Sequence, residues 1–232
     1  NYIIIAKLYE GDIMNISLPK KFRFQEDGFE AYIDSNNNLV MTRTGFEKIM
    51  YALTYAMKGD KVCHYCGNPF GDFDRSLDHQ YPRDFGGISI PNNLVPCCRD
   101  CNERKSNMNA QEFYEYELIK SDPIKVEQFM EDLYRKRDEF RKTFGVILPF
   151  EWYSLKSDYN VLAPITSQDA YKSNKQYTRI SDLYETYHRI CRPVVVTKND
   201  VVVDGFLALM FAKNNGQKDE IAFIRLDNVI AI

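Results

Sequence analysis

The stretch that decides the fold runs from Cys63 to Lys105 and reads CHYCGNPFGDFDRSLDHQYPRDFGGISIPNNLVPCCRDCNERK. Two short motifs frame it, each with two cysteines separated by two residues: Cys63 and Cys66, then Cys98 and Cys101. Each motif supplies two thiolates at bonding distance, and two motifs complete the tetrahedral set that Zn²⁺ prefers. The spacing therefore predicts one structural zinc site held by these four cysteines.

The other cysteines and the nearby histidine are predicted to be structural. Cys97 adjoins Cys98, but the two-residue spacing to Cys101 favours Cys98 as the ligand and leaves Cys97 as a small buried apolar residue. Cys191 lies next to a strand-like run and is expected in the core. His64 lies inside the first motif, where a ligand would be surplus. Because four of the six cysteines fit a metal site, we expect a reducing, cytoplasmic setting rather than a disulfide scaffold.

A denser pattern lies between and after the cysteine motifs: Asp-His, Pro, Gly-Gly, Asn-Leu-x-Pro and Cys-Asn-x2-Lys. It resembles the HNH endonucleases, whose core is the ββα-metal fold. The pattern is carried by Asp78, His79, Pro82, Gly86, Gly87, Asn93, Leu94, Pro96, Asn102 and Lys105. The resemblance covers roughly a fifth of the chain. It implies that His79, Asn93 and Asn102 are the three residues of the family name, with Asn in place of the last His.

The resemblance implies a metal-dependent endonuclease that hydrolyses phosphodiester bonds of DNA, with RNA left open, in a phage, mobile-element or defence context. His79 would be the general base, because imidazole takes a proton from water near neutral pH. Asp78 and Asn102 offer hard oxygen ligands for one Mg²⁺ or Mn²⁺, which would stabilise the developing charge. Asn93 would fix the orientation of the imidazole.

Charge argues against strong binding of nucleic acid by the chain as a whole. The formal net charge is −3, and basic residues do not outnumber acidic ones in residues 1–62, 63–150 or 151–232. Because non-specific binding depends on phosphate neutralisation, we expect weak intrinsic affinity, helped by a partner or the C-terminal segment. Lys105, one turn beyond Asn102, and its neighbour Arg104 are the expected contacts. The basic cluster in 135–142 is interpreted as a solvated helix face paired with acidic neighbours.

A second class of function stays open at this point. Paired cysteine motifs also occur in zinc ribbons and adapter modules, so a zinc-stabilised nucleic-acid-binding or adapter protein without catalysis is the alternative. The Asp78-His79 dipeptide, the Gly-Gly turn and Asn102 favour the nuclease, since a module that only binds has no need of this set of residues.

The whole chain predicts an α+β protein in four segments. Residues 1–60 form a β-rich region and a helix, 61–109 the HNH core, 110–150 a helical extension and 151–232 a C-terminal α/β domain. Strands are expected at 2–9 and within 29–41, and helices from 44 to 59, after Asn109 with its capping-box partner Glu112, and from Asp122 to Thr143. Residues 148–164 are interpreted as an irregular connection.

The last seventy residues are predicted as a helix, a hairpin around Lys198 to Asp200, a second helix and one or two strands. They resemble more loosely the ParB-like N-terminal domain, in which an acidic residue and Gly, here Asp204 and Gly205, join a strand to an Ala-rich helix. The basic residues usual after the Gly are replaced by apolar ones from Phe206. We therefore expect a structural or recognition domain, with a protein partner or a second copy as its candidate ligand.

Composition leaves a folded globular protein as the expectation. The hydrophobic fraction is 44% and the aromatic fraction 14%, which is ordinary to slightly rich for such a protein. No apolar run approaches the roughly 20 residues of a membrane span, and no signal-peptide pattern opens the chain.

Overall fold

A computed structural model describes residues 15–59, 61–71, 74–144, 175–215 and 221–232. The strand expected at 2–9, the irregular connection expected at 148–164 and the segment boundary expected at 150 lie outside the described residues. The described part combines helices with several sheets, so the α+β class expected from the sequence is confirmed. Within it, no helix has both the length and the apolar composition that a membrane crossing requires.

The described elements follow the order expected from the sequence. The strands are β1 Arg23–Glu26, β2 Phe29–Ile33, β3 Leu39–Met41, β4 Arg75–His79, β5 Leu94–Cys98, β6 Ile190–Thr197, β7 Val202–Asp204, β8 Ile221–Leu226 and β9 Val229–Ala231. The helices are α1 Phe46–Lys58, α2 Arg99–Lys105, α3 Ala110–Ile119, α4 Pro123–Thr143, α5 Lys175–Tyr187 and α6 Phe206–Asn214.

The N-terminal strands form an antiparallel meander that the end of the chain extends. β1 pairs with β2 and β2 with β3, while β9 adds a parallel fourth strand in which Val40 faces Ile230. Helix α1 buries the apolar stripe that its sequence predicted, including Ile49 and Leu53, against this sheet. It ends at Gly59, whose φ of 79° favours glycine because other residues are strained there.

The middle of the chain forms the expected ββα unit. Strands β4 and β5 pair antiparallel, with Asp78 opposite Val95 and His79 opposite Leu94. Helix α2 starts directly after β5, and the Sγ of Cys98 accepts the backbone N–H of Cys101 at its N-terminus. The hairpin and the first turn of α2 therefore bring the Asp-His dipeptide close to the second cysteine motif.

Helices α3 and α4 follow as a helical pair whose caps match the sequence. Asn109 and Glu112 form the predicted capping box, and Asp122 caps α4 ahead of its first residue, Pro123. The predicted solvated face of α4 is confirmed at three basic residues, since Arg135, Lys136 and Lys142 pair with acidic residues of the same helix.

The C-terminal segment forms a three-stranded sheet in the order β7-β6-β8, with α5 and α6 packed against it. The hairpin, the two helices and the final strands match the predicted elements, although β9 leaves this sheet to join β3. One hydrophobic core contains buried residues from the N-terminal sheet, α1, the β4–β5 loop and the C-terminal strands. The predicted domain boundaries and the ParB-like resemblance stay predictions, but the described parts of these segments pack together.

Candidate functional site

The two cysteine motifs meet in space as the sequence predicted. The Sγ atoms of Cys63, Cys66, Cys98 and Cys101 all lie within 4.8 Å of one another. Cys97 is not one of this group of four, and its Sγ lies 3.3 Å from Ser76 Oγ. His64 is outside it too, with Nε2 at 3.4 Å from Gln80. The structure thus brings together the four expected cysteines.

The geometry of the cluster fits a tetrahedral ion such as zinc. Cys66 Sγ and Cys98 Sγ are 4.0 Å apart, close to the ~3.8 Å separation that Zn–S bonds of about 2.3 Å give in a tetrahedron. Burial alone would raise the pKa of the Cys63 thiol, but backbone N–H groups of Cys66 and Cys98 bring it down to about 7. A thiolate is therefore accessible near neutral pH, as metal binding requires.

Asp78 projects from β4 into the interior next to this cluster. Its carboxylate is 5% exposed; Oδ2 accepts the hydroxyl of Tyr65 at 2.5 Å, and both oxygens lie within 3.1 Å of Lys105 Nζ. Burial raises the pKa of Asp78, and the charge of Lys105 offsets part of that shift. A buried carboxylate held by an ammonium and a phenol is stable in its ionised form only while both partners remain.

The structure corrects the expected place of Lys105 at the nucleic acid. The side chain is 0% exposed, and its ammonium also donates to the backbone carbonyl of His79 at 2.9 Å. Arg104 stays partly exposed but pairs with Asp100 and Glu117. The helix period explains the difference: Lys105 lies on the face of α2 that covers the hairpin, which the motif spacing alone did not reveal.

His79 follows Asp78 in the strand and its side chain contacts a different part of the protein, since successive residues of a strand alternate. Its Nε2 lies 2.9 Å from Ser89 Oγ, and Ser89 is 0% exposed. Burial, together with the positive charge of Arg83, lowers the pKa of His79 to about 4. The imidazole is therefore neutral at physiological pH and able to accept a proton.

Glu47, from the first turn of α1, completes a hydrogen-bonded chain behind His79. Its Oε1 accepts Ser89 Oγ at 3.4 Å, the hydroxyl of Tyr51 at 2.7 Å and a guanidinium N–H of Arg83 at 2.9 Å. Burial opposes ionisation, but Tyr51 and Arg83 keep the pKa of Glu47 below its ordinary value. Since the Ser89 hydroxyl donates to this carboxylate, its oxygen is left to accept an N–H from His79.

Sequence reasoning missed Glu47, Ser89 and Arg83. Glu47 and Ser89 are 42 residues apart in the chain. From the sequence, Glu47 was indistinguishable from an ordinary polar residue on the exposed face of a helix. The one local signal was the position of Arg83 and Ser89 inside the loop between the Asp-His dipeptide and Asn93.

Asn93 shapes that loop rather than bonding to the imidazole. Its Nδ2 donates to the carbonyls of Tyr81 and Ile88, both at 3.0 Å, and its Oδ1 accepts the backbone N–H of Tyr81 at 2.8 Å. Gly87 lies in the same turn, where an added Cβ would be 1.9 Å from the carbonyl oxygen of Tyr81. The loop that carries Ser89 is thus closed by one amide and one obligatory glycine.

Asn102 lies in the first turn of α2, next to the face of the hairpin that carries Ser76 and Asp78. Its Nδ2 donates to Ser76 Oγ at 3.2 Å, and Ser76 precedes Asp78 by two residues on the same face of β4. The expected pair of oxygen ligands, Asp78 and Asn102, therefore shares one side of the strand.

The comparisons with known proteins bear on the segment just described. The family model of the HNH endonucleases matches residues 63–115. This segment is similar to HNH endonuclease domains. The match covers roughly a quarter of the chain, and it confirms the resemblance drawn from the sequence and indicates nuclease activity and nucleic acid as partner. Neither a curated protein nor a solved structure gave a match.

The two metals expected in the HNH segment differ in how well the residues fit them. The four thiols fit a structural ion in both geometry and chemistry. The catalytic ion fits in donor type but not in arrangement, because Lys105 Nζ lies within 3.1 Å of both oxygens of Asp78. Within the described ranges, the cysteine cluster is the one group of His, Cys, Asp and Glu side chains arranged to hold a metal.

Proposed function

We propose that this chain is a divalent-ion-dependent endonuclease that hydrolyses phosphodiester bonds of DNA, with His79 as the general base. One observation carries the proposal: in a segment that matches the HNH family, His79 is a neutral imidazole held at a fixed place by Ser89. A base of this kind takes a proton from water as the water attacks phosphorus and the P–O3′ bond breaks, and the leaving 3′-oxygen takes a proton from solvent. Because the imidazole is already neutral, it needs no change of charge before the reaction starts.

The residues around His79 have different proposed roles in this step. The Ser89 oxygen accepts a hydrogen bond from Nε2–H of the resting imidazole, so Nδ1 is the nitrogen that takes the proton from water. Glu47 lies behind Ser89, and its negative charge stabilises the imidazolium that forms. Arg83 and Tyr51 hold the carboxylate in place. The geometry of the base is thus set before substrate binds.

The metals have separate proposed roles. Zinc in the cysteine cluster would hold the two motifs together and so support the β4–β5 hairpin. Mg²⁺ or Mn²⁺ would supply positive charge for the phosphate, and Asp78 and Asn102 remain its proposed ligands. Their use requires that Lys105 release the carboxylate of Asp78.

Incubating plasmid DNA with the zinc-loaded protein and Mg²⁺ or Mn²⁺ tests the proposal. The parent should nick or cut the plasmid, and His79→Ala should lower the rate by about 10²–10⁴ with unchanged zinc content. His188→Ala is the matched control, because this exposed histidine lies in the C-terminal segment and contacts Tyr184. Cleavage by His79→Ala at the parent rate would contradict the role of His79.

The ion pair at Asp78 favours a second candidate, a zinc-stabilised nucleic-acid-binding or adapter protein without catalysis. An ammonium there already neutralises the carboxylate that the catalytic ion would need. This candidate predicts DNA binding with no cleavage in either divalent ion, so the same plasmid assay separates the two.

A further inference from the structure

A cleft next to the HNH segment is lined by three arginines, although the chain as a whole carries a net charge of −3. Its volume is about 150 Å³. Arg83 comes from the β4–β5 loop, Arg179 from α5 and Arg192 from β6, while Asp84 is the acidic residue of the lining. The cleft therefore lies between the family segment and the C-terminal segment and has a net positive lining.

The arginines are held in place and still have donors to spare. Arg83 donates to Glu47, Arg179 to Asp84, and Arg192 to Gln176 and Asp204, the last two over 3.3 and 3.4 Å. A guanidinium carries five N–H donors, so most of these groups remain unused within the described part of the chain. Arginine forks that are held in place by ion pairs and keep free N–H groups are suited to phosphate oxygens.

The cleft is continuous with the surroundings of His79. Arg83 lines the cleft and also pairs with Glu47, whose other partner Ser89 contacts His79. An anion in the cleft would thus lie beside the proposed base.

We propose that this cleft binds a backbone phosphate of DNA next to the bond that is cleaved. The inference deepens the proposed function, on which it rests, and gives the C-terminal segment a part in substrate binding. It also explains how a chain without an overall basic balance holds DNA, since the positive charge is concentrated where it is used. Free phosphate has the same chemistry as a backbone phosphate, so the experiment measures the binding of DNA and the competition by free phosphate separately.

Binding of a fluorescein-labelled DNA duplex by the full, zinc-loaded chain tests the cleft, with fluorescence anisotropy measured over a range of salt concentrations. All variants carry His79→Ala so that cleavage does not interfere. The test variant is Arg179→Gln with Arg192→Gln. The matched control is Arg135→Gln with Lys142→Gln, which removes the same charge from the solvated face of α4, where both side chains are more than half exposed.

The test variant should bind on the order of tenfold more weakly. The slope of log affinity against log salt should fall in magnitude by about 0.9, because one phosphate contact is lost. The control should keep the slope of the parent. Asp84→Asn should bind more tightly than the parent, a gain that unfolding cannot imitate. Arg179→Lys with Arg192→Lys should keep the slope because it keeps the charges.

Equal slopes and equal affinities for the test and control variants would contradict the proposal that the cleft binds a DNA phosphate. Sodium phosphate at matched ionic strength should weaken DNA binding by the parent more than by the test variant, because it competes only for an intact cleft. Phosphate binding by the parent, together with equal DNA affinities of the parent and the test variant, would also contradict the proposal, because the site would then serve free phosphate. Failure of the parent to cut plasmid counts against the proposed function alone, since the binding measurements need no cleavage.

Discussion

Replacing Lys105 with Met removes one charge from an ion pair that is almost fully buried. The side chains of Lys105 and Asp78 are 0% and 6% exposed, and Nζ lies 3.0 Å from Oδ2. Methionine keeps the length and apolar stem of lysine but leaves the buried Asp78 carboxylate without a counter-charge, with only the hydrogen bonds from the Tyr65 hydroxyl and the backbone N–H of His79. The carbonyl of His79 loses its donor at the same time.

The expected loss of stability follows from the desolvation of both groups. Burial is the largest influence on each, raising the pKa of Asp78 and lowering the pKa of Lys105, so each ion depends on the other. Removing one partner of a buried pair costs about 3–5 kcal/mol. With a urea m-value of about 3 kcal/mol/M for a chain of this size, the unfolding midpoint should fall by about 1–2 M.

Urea unfolding of four proteins checks this reasoning: the parent, Lys105→Met, Asp78→Asn and the double variant. Because the double variant removes both charges, it should be more stable than the sum of the single effects predicts, by about 2 kcal/mol. Lys120→Met is the matched control, since this lysine is half exposed and its pair with Glu117 contributes under about 1 kcal/mol. Unchanged unfolding of Lys105→Met, or strictly additive losses in the double variant, would refute the argument.

Three further changes have expected outcomes. Metal analysis should find about one zinc per chain. The zinc should be lost in Cys98→Ser and kept in Cys97→Ala, because Cys98 lies in the cluster and Cys97 does not. Equal zinc in both variants would contradict the assignment of Cys98 as a zinc ligand. Ser89→Ala should lower kcat by about 10–100-fold, more than Tyr51→Phe, because Ser89 contacts the imidazole directly, whereas Tyr51 contacts Glu47 and Ser89; single-turnover cleavage measures both. Gly87→Ala should destabilise the protein by more than about 3 kcal/mol in urea, since its Cβ would overlap the Tyr81 carbonyl, whereas Gly67→Ala, with open space around it, should lose less.

Much of the fold could be predicted because its signals are local. The two cysteine motifs, the capping box of Asn109 and Glu112, and the stop of α1 at Gly59 depend on residues a few positions apart. Caps and periodicity act within one or two turns, so they are visible in the sequence before any tertiary contact forms. The choice of Cys98 over Cys97 also followed from spacing alone.

The tertiary structure determined the contacts between residues that are far apart in the sequence. The contact of Glu47 with Ser89, the burial of Lys105 against Asp78, the pairing of β9 with β3 and the arginine cleft each join residues far apart in sequence. The sequence alone identified the Asp-His dipeptide as a candidate site. The alternation of side chains along β4 and the position of α1 determined which groups surround each of the two side chains. By itself the sequence determined the cysteine cluster and the HNH pattern. The partners of His79 and Asp78 were set by packing, because such contacts depend on chain topology and leave no local periodic signal.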